Sequence, residues 1–196
     1  MGADALRQRF TAPPVWRPEI EREPRFGERQ PADAAVLIAV VQHPEPTVLL
    51  TQRATHLSTH SGQIAFPGGK VDHSDGSVQR AALREAEEEV GLMPAAVEVL
   101  GCLPRYLTGT MFSVTPVLGL VQPGIALSPS PDEVSEVFEV PLAFLMNPAN
   151  HRWHEVEHQG VLRQWLSMPY QDAGAERYIW GATAGMLRNL YAFLSA

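Results

Sequence analysis

The sequence predicts an α/β protein, a sandwich of helices around one mixed β-sheet, and three observations carry that prediction. Ala34-Ala35-Val36-Leu37-Ile38-Ala39-Val40-Val41 is a continuous β-rich apolar run, the pattern of a strand covered on both faces. A capped helical pattern spans Ser77 to Gly91. Met186, Leu187, Leu190, Tyr191 and Leu194 recur at helical spacing near the C-terminus. Strand-like segments alternating with helices imply a sheet that helices cover.

The elements follow in order. Residues 11–31 contain Pro13, Pro14, Pro18, Pro24 and Pro31 among many charges, which excludes a long helix or a central strand. Residues 1–31 therefore read as an irregular, Pro-rich N-terminal arm, and residues 32–196 as a single domain. After the Ala34–Val41 strand, Pro44-Glu45-Pro46 reads as a turn and Thr47–Arg53 as its hairpin partner. Phe66-Pro67-Gly68-Gly69-Lys70 is a strand end or tight loop, because Pro removes a donor and Gly relaxes the backbone. Asp75 or Ser77 caps the next helix and Gly91 closes it. Val97–Leu103, Val114–Leu120, Glu133–Val140 and Val161–Leu166 read as strands, Pro141–Leu145 as a short helix and Thr183–Leu194 as the last helix.

Composition narrows the function. The chain has 196 residues, is 45% hydrophobic and carries a formal net charge of -7. Such an acidic chain does not suit a nucleic-acid backbone, although a nucleotide-sized substrate remains compatible because bound metal reverses the local field. No apolar run is long enough to span a membrane. A lone cysteine, Cys102, forbids an internal disulfide, and no targeting segment stands at the N-terminus. Both suit a cytoplasmic protein. Cys102, between Leu100 and Leu103, reads as a small, partly buried residue.

The helix from about Ser77 to Val90 is the informative element. With Glu85 at 0° and about 100° per residue, Glu88 and Glu89 fall at about -60° and +40°. Ala82, Leu83, Ala86 and Val90 form the adjoining apolar face, whereas Glu87 points away to solvent. Like charges at i,i+4 cost roughly 0.2–0.5 kcal/mol per pair, and carboxylates at a helix C-terminus oppose the dipole. A divalent cation accounts for this arrangement, since Mg²⁺ and Mn²⁺ prefer carboxylate, carbonyl and phosphate oxygens.

Arg84-Glu85-Ala86-Glu87-Glu88-Glu89-Val90-Gly91-Leu92 resembles the second half of the Nudix box, R-E-U-x-E-E-x-G-U with U apolar. The first half departs: Gly76 stands where strict spacing places a glutamate, the loop is one residue longer, and Asp75 is the nearest acid. Upstream, Leu49-Leu50-Thr51, Arg53-Ala54, Gly62 and Phe66-Pro67-Gly68-Gly69 are similar to the signature of the coenzyme A pyrophosphatase branch of that superfamily. Ser58 replaces an arginine of that signature, which weakens the expected contact with a substrate phosphate. The stretches 132–138 and 178–185 also look like that branch, so the resemblance covers roughly residues 34–190.

The resemblance implies a Nudix-type α/β/α sandwich and a metal-dependent hydrolase that cleaves the diphosphate of coenzyme A or a derivative to 3′,5′-ADP and 4′-phosphopantetheine. Another nucleoside diphosphate derivative (ADP-ribose, NADH) is the alternative substrate, and a non-catalytic nucleotide-binding regulator the alternative class. It implies Mg²⁺ or Mn²⁺ held by Glu85, Glu88 and Glu89 with the Gly68 carbonyl, and Arg84 orienting the cluster. The general base is a box glutamate such as Glu89 or a distant one; Glu133 is the outside candidate and Asp132 its rival. Arg53, His60 and Gln63 are the expected substrate contacts. Tyr178 and Trp180 line a pocket for adenine or pantetheine or, the more frequent fate of such aromatics, belong to the core. No nucleic-acid or membrane partner is expected; a homodimer is compatible with the sequence.

Overall fold

The computed structural model describes residues 1–23, 30–158, 161–172 and 174–196; Pro24 of the predicted arm lies outside them. Its centre is the strand β1 (Ala32–Val41). This strand runs parallel to β7 (Phe112–Val121) over its whole length, from Ala32 opposite Phe112 to Val41 opposite Val121. The hairpin partner β2 (Thr47–Arg53) pairs with β1 only at Val40–Val48 and Val41–Thr47, then diverges. Into the space left beside β1 comes β4 (Gly68–Lys70), and beside β2 the short β3 (Ile64–Ala65). The strands β5 (Val97–Cys102) and β6 (Tyr106–Leu107) pair with β7, and β8 (Val134–Pro141) pairs with β2, completing an eight-stranded mixed sheet.

The apolar run of β1 is explained by its two faces. Ala35, Leu37, Ala39 and Val41 pack with α2 (Val78–Val90) through its Ala81, Ala82, Ala86 and Val90. The alternate residues Ala34, Ile38 and Val40 share the opposite core with Leu187, Leu190, Phe193 and Leu194 of α4 (Gly181–Ser195). Three alanines on the buried stripe of α2 let its backbone lie close to the sheet. Strand period 2 thus serves two helical layers, the predicted sandwich.

Between β8 and α4 lie a one-turn helix, α3 (Leu142–Leu145), and a second, three-stranded antiparallel sheet of β9 (Arg152–His158), β10 (Val161–Asp172) and β11 (Ala175–Trp180). Only β10 had a sequence signal. One face of this sheet supplies Leu166, Met168 and Ile179 to the α4-side core.

Three expectations are corrected. The N-terminal arm is not irregular throughout: α1 (Ala3–Thr11) begins it, with Leu6 fully buried. Arg7 ties this helix to Glu98 of β5, and Phe10 and Trp16 set their rings 4.9 and 5.1 Å from Phe193 of α4. Two apolar anchors in nine residues are too few to announce a helix, which here depends on tertiary packing. Cys102 is exposed, not partly buried. Tyr178 and Trp180 are exposed rather than core, because they alternate with buried Ile179 on β11. Among the described residues no helix is long and apolar enough to cross a membrane.

Candidate active site

The helix α2 is fixed at both ends. Ser77 accepts a hydrogen bond from the Arg80 N–H, and Gly91 takes the left-handed conformation (φ 70°) while its N–H reaches back to the Glu87 carbonyl. The loop after Ile125 closes over the C-terminal turn, where Ser128 and Ser130 donate their N–H groups to the carbonyls of Val90 and Glu89. The helix face is therefore held rigidly against β4.

The three carboxylates share that face at graded depth. Glu88 is 57% exposed, Glu85 is 16% exposed and Glu89 only 5%. Glu89 accepts the Gly68 N–H at 3.1 Å, and its other oxygen lies 3.7 Å from Arg53 Nη1. Burial dominates these attractions and pushes Glu89 up to about 7, with the negative charges of Glu133 and Glu85 adding to the shift. Burial also raises Glu85, against the pull of Arg84.

Arg84 is the hub. Its Nε and Nη2 grip both oxygens of buried Asp75 at 2.7 and 3.1 Å, while Nη1 donates to Glu85 and to Glu88, each at 2.9 Å. Nη2 also reaches the Lys70 carbonyl. Asp75 in turn accepts the Asp72 N–H at 2.7 Å, and the Arg84 guanidinium holds its carboxyl below the usual range. Although Asp75 is shifted from the expected glutamate position, it anchors Arg84 through a planar fork-to-fork contact. No sequence spacing announces that pairing, because the intervening turn determines it.

The glycine turn fits against this cluster. A Cβ at Gly68 would lie 2.6 Å from the Val36 Cα, so only glycine permits β4 to lie this close to β1. A Cβ at Gly69 would fall on the Glu85 carboxylate. The Gly69 backbone and the Glu85 oxygens are thus in direct apposition.

Arg53 ends β2 beside Glu89, and its buried Nε has no hydrogen-bond partner among the described residues. Exposed Glu133 is drawn in by backbone bonds: its carbonyl accepts the Ala54 N–H, and His56 reaches the Asp132 carbonyl. His60 and Gln63 are not part of the carboxylate cluster. They hydrogen-bond each other at 2.8 Å in the exposed loop, whose Gln63 carbonyl accepts the Arg53 N–H.

The carboxylate oxygens are the hard donors a divalent cation takes, and they lie where glycine leaves the backbone bare. The three glutamates are nonetheless not gathered around one point. Among the described residues no group of three His, Cys, Asp or Glu side chains is close enough to hold an ion. Arg84 occupies Glu85 and Glu88, while Gly68 and Arg53 hold Glu89. Ion binding would exchange some of these contacts.

The acidic helix against its glycine turn fits the class of phosphorus-anhydride hydrolases that comparison with known families assigns to the chain. The chain belongs to the Nudix family: the NUDIX domain model matches residues 31–172. It is 49% identical over 175 residues to the uncharacterized Nudix hydrolase NudL of Shigella flexneri serotype 5b (strain 8401), covering 89% of this chain and 86% of that one. The NudL of Escherichia coli O7:K1 (strain IAI39 / ExPEC) gives the same identity and coverage. In fold it is similar to the Nudix hydrolase RenU of M. smegmatis, with a TM-score of 0.50 at 24% identity over 59% of this chain and 74% of that one. The protein is a hydrolase of NudL-like type.

Proposed function

We propose that the protein cleaves the diphosphate of coenzyme A or one of its derivatives to 3′,5′-ADP and 4′-phosphopantetheine. The observation that carries the hydrolytic half is the Asp75–Arg84 hub, which orients Glu85 and Glu88 beside the buried, proton-retaining Glu89. The coenzyme A half rests on the segment Leu49–Gly69, whose Arg53 stands next to Glu89 with its side chain a quarter exposed.

Nudix hydrolases generally use divalent metal ions. Here Glu85, Glu88 and Glu89, with the Gly68 carbonyl, would hold Mg²⁺ or Mn²⁺, which when bound neutralises phosphate oxygens and lowers the pKa of bound water. The protein's own groups do the rest. Arg84, anchored on Asp75, sets the rotamers of Glu85 and Glu88 as outer residues of ion sites do. Arg53 presents its fork to a substrate phosphate. Glu133, or Glu89 once a bound cation has displaced its own proton, would take the proton from the attacking water. His60 and Gln63 contact substrate at the mouth of the loop.

The test is product identification after incubation with Mg²⁺ or Mn²⁺ and coenzyme A, ADP-ribose, NADH and dinucleoside polyphosphates. Coenzyme A left intact while another member is cleaved overturns the substrate reading in favour of another nucleoside diphosphate derivative. Unchanged turnover in Glu88→Gln and Glu89→Gln overturns the assignment of the glutamates.

A further inference from the structure

The face of the second sheet turned away from the core carries a feature that the hydrolytic chemistry does not use. Tyr178 and Trp180, two residues apart on β11, project to the same side, with 38% and 39% exposure. Their ring centroids lie 6.5 Å apart at 36°, so the two form a platform rather than a closed stack. With Gln52, Gln63 and Arg177 they line an open cleft of about 350 Å³. That is the small end of the range for ligand pockets, enough for one nucleoside and too little for a whole dinucleotide.

The polar lining is selective. The Gln63 oxygen accepts from His60, and the Gln52 oxygen faces Arg177 Nη1 at 3.3 Å. Both amides are thereby oriented with their NH₂ groups unpartnered among the described residues. Arg177 is already saturated: it forks onto Glu136 at 2.6 Å twice, reaches Asp172 at 3.1 Å and covers the Phe138 ring. Its charge is spent on those carboxylates, so the cleft does not suit a phosphate. An aromatic platform flanked by amide donors suits a flat, uncharged heterocycle with acceptor nitrogens. A flexible aliphatic tail would use the rings and leave the amides unmet. The cleft and the carboxylate site share one stretch of backbone: Gln52 and Gln63 line the cleft, the Gln63 carbonyl accepts the N–H of Arg53, and the Arg53 side chain approaches Glu89 from the other face of β2.

We infer that this cleft binds the purine base of the substrate, Tyr178 and Trp180 stacking on it and Gln52 and Gln63 donating to its ring nitrogens. The inference deepens the proposed function and rests on its nucleotide substrate.

The test is equilibrium binding of AMP, ribose 5-phosphate and 4′-phosphopantetheine to the full chain in EDTA, where nothing turns over. AMP should bind at least ten-fold more tightly than ribose 5-phosphate. Tyr178→Ala and Trp180→Ala should each weaken AMP on the order of ten-fold and leave ribose 5-phosphate unaffected, whereas Trp180→Phe should restore AMP binding. In turnover with the diphosphate substrate, the alanine variants should raise KM and leave kcat near the parent value. Equal binding of AMP and ribose 5-phosphate overturns the base site. So does undiminished AMP binding in alanine variants whose circular dichroism matches the parent, or selective loss of 4′-phosphopantetheine in them. AMP binding with no diphosphate hydrolysis on any substrate supports the base site and sinks the hydrolytic reading instead.

Discussion

Glu89→Gln should stabilise the metal-free protein while removing its activity. The Glu89 side chain is 5% exposed, and burial raises its carboxyl to about 7 from the ordinary 4.5. That shift already includes the favourable pulls of the Gly68 N–H and of Arg53. Holding this group ionised in the folded chain therefore costs about 3 kcal/mol at about 1.4 kcal/mol per pKa unit. Because the folded pKa lies above the unfolded one, the folded state binds the proton more tightly. The associated stability is fully present below about pH 4.5 and is lost as pH rises through 7. Gln keeps an oxygen for the Gly68 N–H and never ionises. In EDTA at pH 8 the variant should be more stable by about 3 kcal/mol, or roughly 6–12 °C in Tm for a chain of this size. At pH 5 the gap should shrink to under about 1 kcal/mol. Differential scanning fluorimetry across pH, in EDTA, reads this directly. A variant that melts at or below the parent at pH 8, or a gap that does not change with pH, refutes the idea that Glu89 is held against its desolvation.

Arg84→Gln should lower kcat/KM by about 10–100-fold, the usual effect of losing an outer residue that orients ligands, and Asp75→Asn should move activity in the same direction by less; unchanged kinetics in both would remove the hub from the mechanism. Gly69→Ala and Gly68→Ala should separate function from fold. The first drives a methyl into the carboxylate end of the Glu85 side chain, which can turn aside, so activity should fall at least ten-fold with Tm nearly unchanged. The second meets backbone at Val36 and should cost ~1–3 kcal/mol of stability, as overpacking does. Equal effects of the two on Tm would contradict the different neighbours found for them. Glu133→Gln should lower kcat by 10²-fold or more if Glu133 takes the proton from water, and a pH–rate profile that keeps its acid limb in this variant assigns that role to Glu89.

What the sequence revealed divides along physical lines. Periodicity and capping are local, so α2, its limits at Ser77 and Gly91, the two-faced strand β1 and the helix α4 were legible from residue spacing alone. The charged strand β9 and the six-residue β11 have too little apolar alternation to stand out, and α1 owes its helix to Phe193 and Glu98, distant in sequence. The candidate site divides in the same way. A helical wheel gives direction around an axis and says nothing of depth. It set Glu85, Glu88 and Glu89 side by side as equivalents, whereas the glycine turn and Arg53 bury Glu89 and leave Glu88 in water. Likewise, Asp75 meets Arg84 only because the turn through Asp72 folds back.

That difference in depth gives the three glutamates distinct roles. Glu88, exposed and tethered only by Arg84 among the described residues, is the one most easily released to an incoming cation. Glu85 exchanges an Arg84 contact while staying against Gly69. Glu89 retains its proton near neutrality until a positive charge replaces it, so cation binding should release a proton from this group. Proton release should therefore accompany Mg²⁺ addition at pH 6.5, be much smaller at pH 8.5, and be absent from Glu89→Gln. Calorimetric titration in buffers of different ionisation enthalpy measures it. Equal proton release at the two pH values would place the ion away from Glu89.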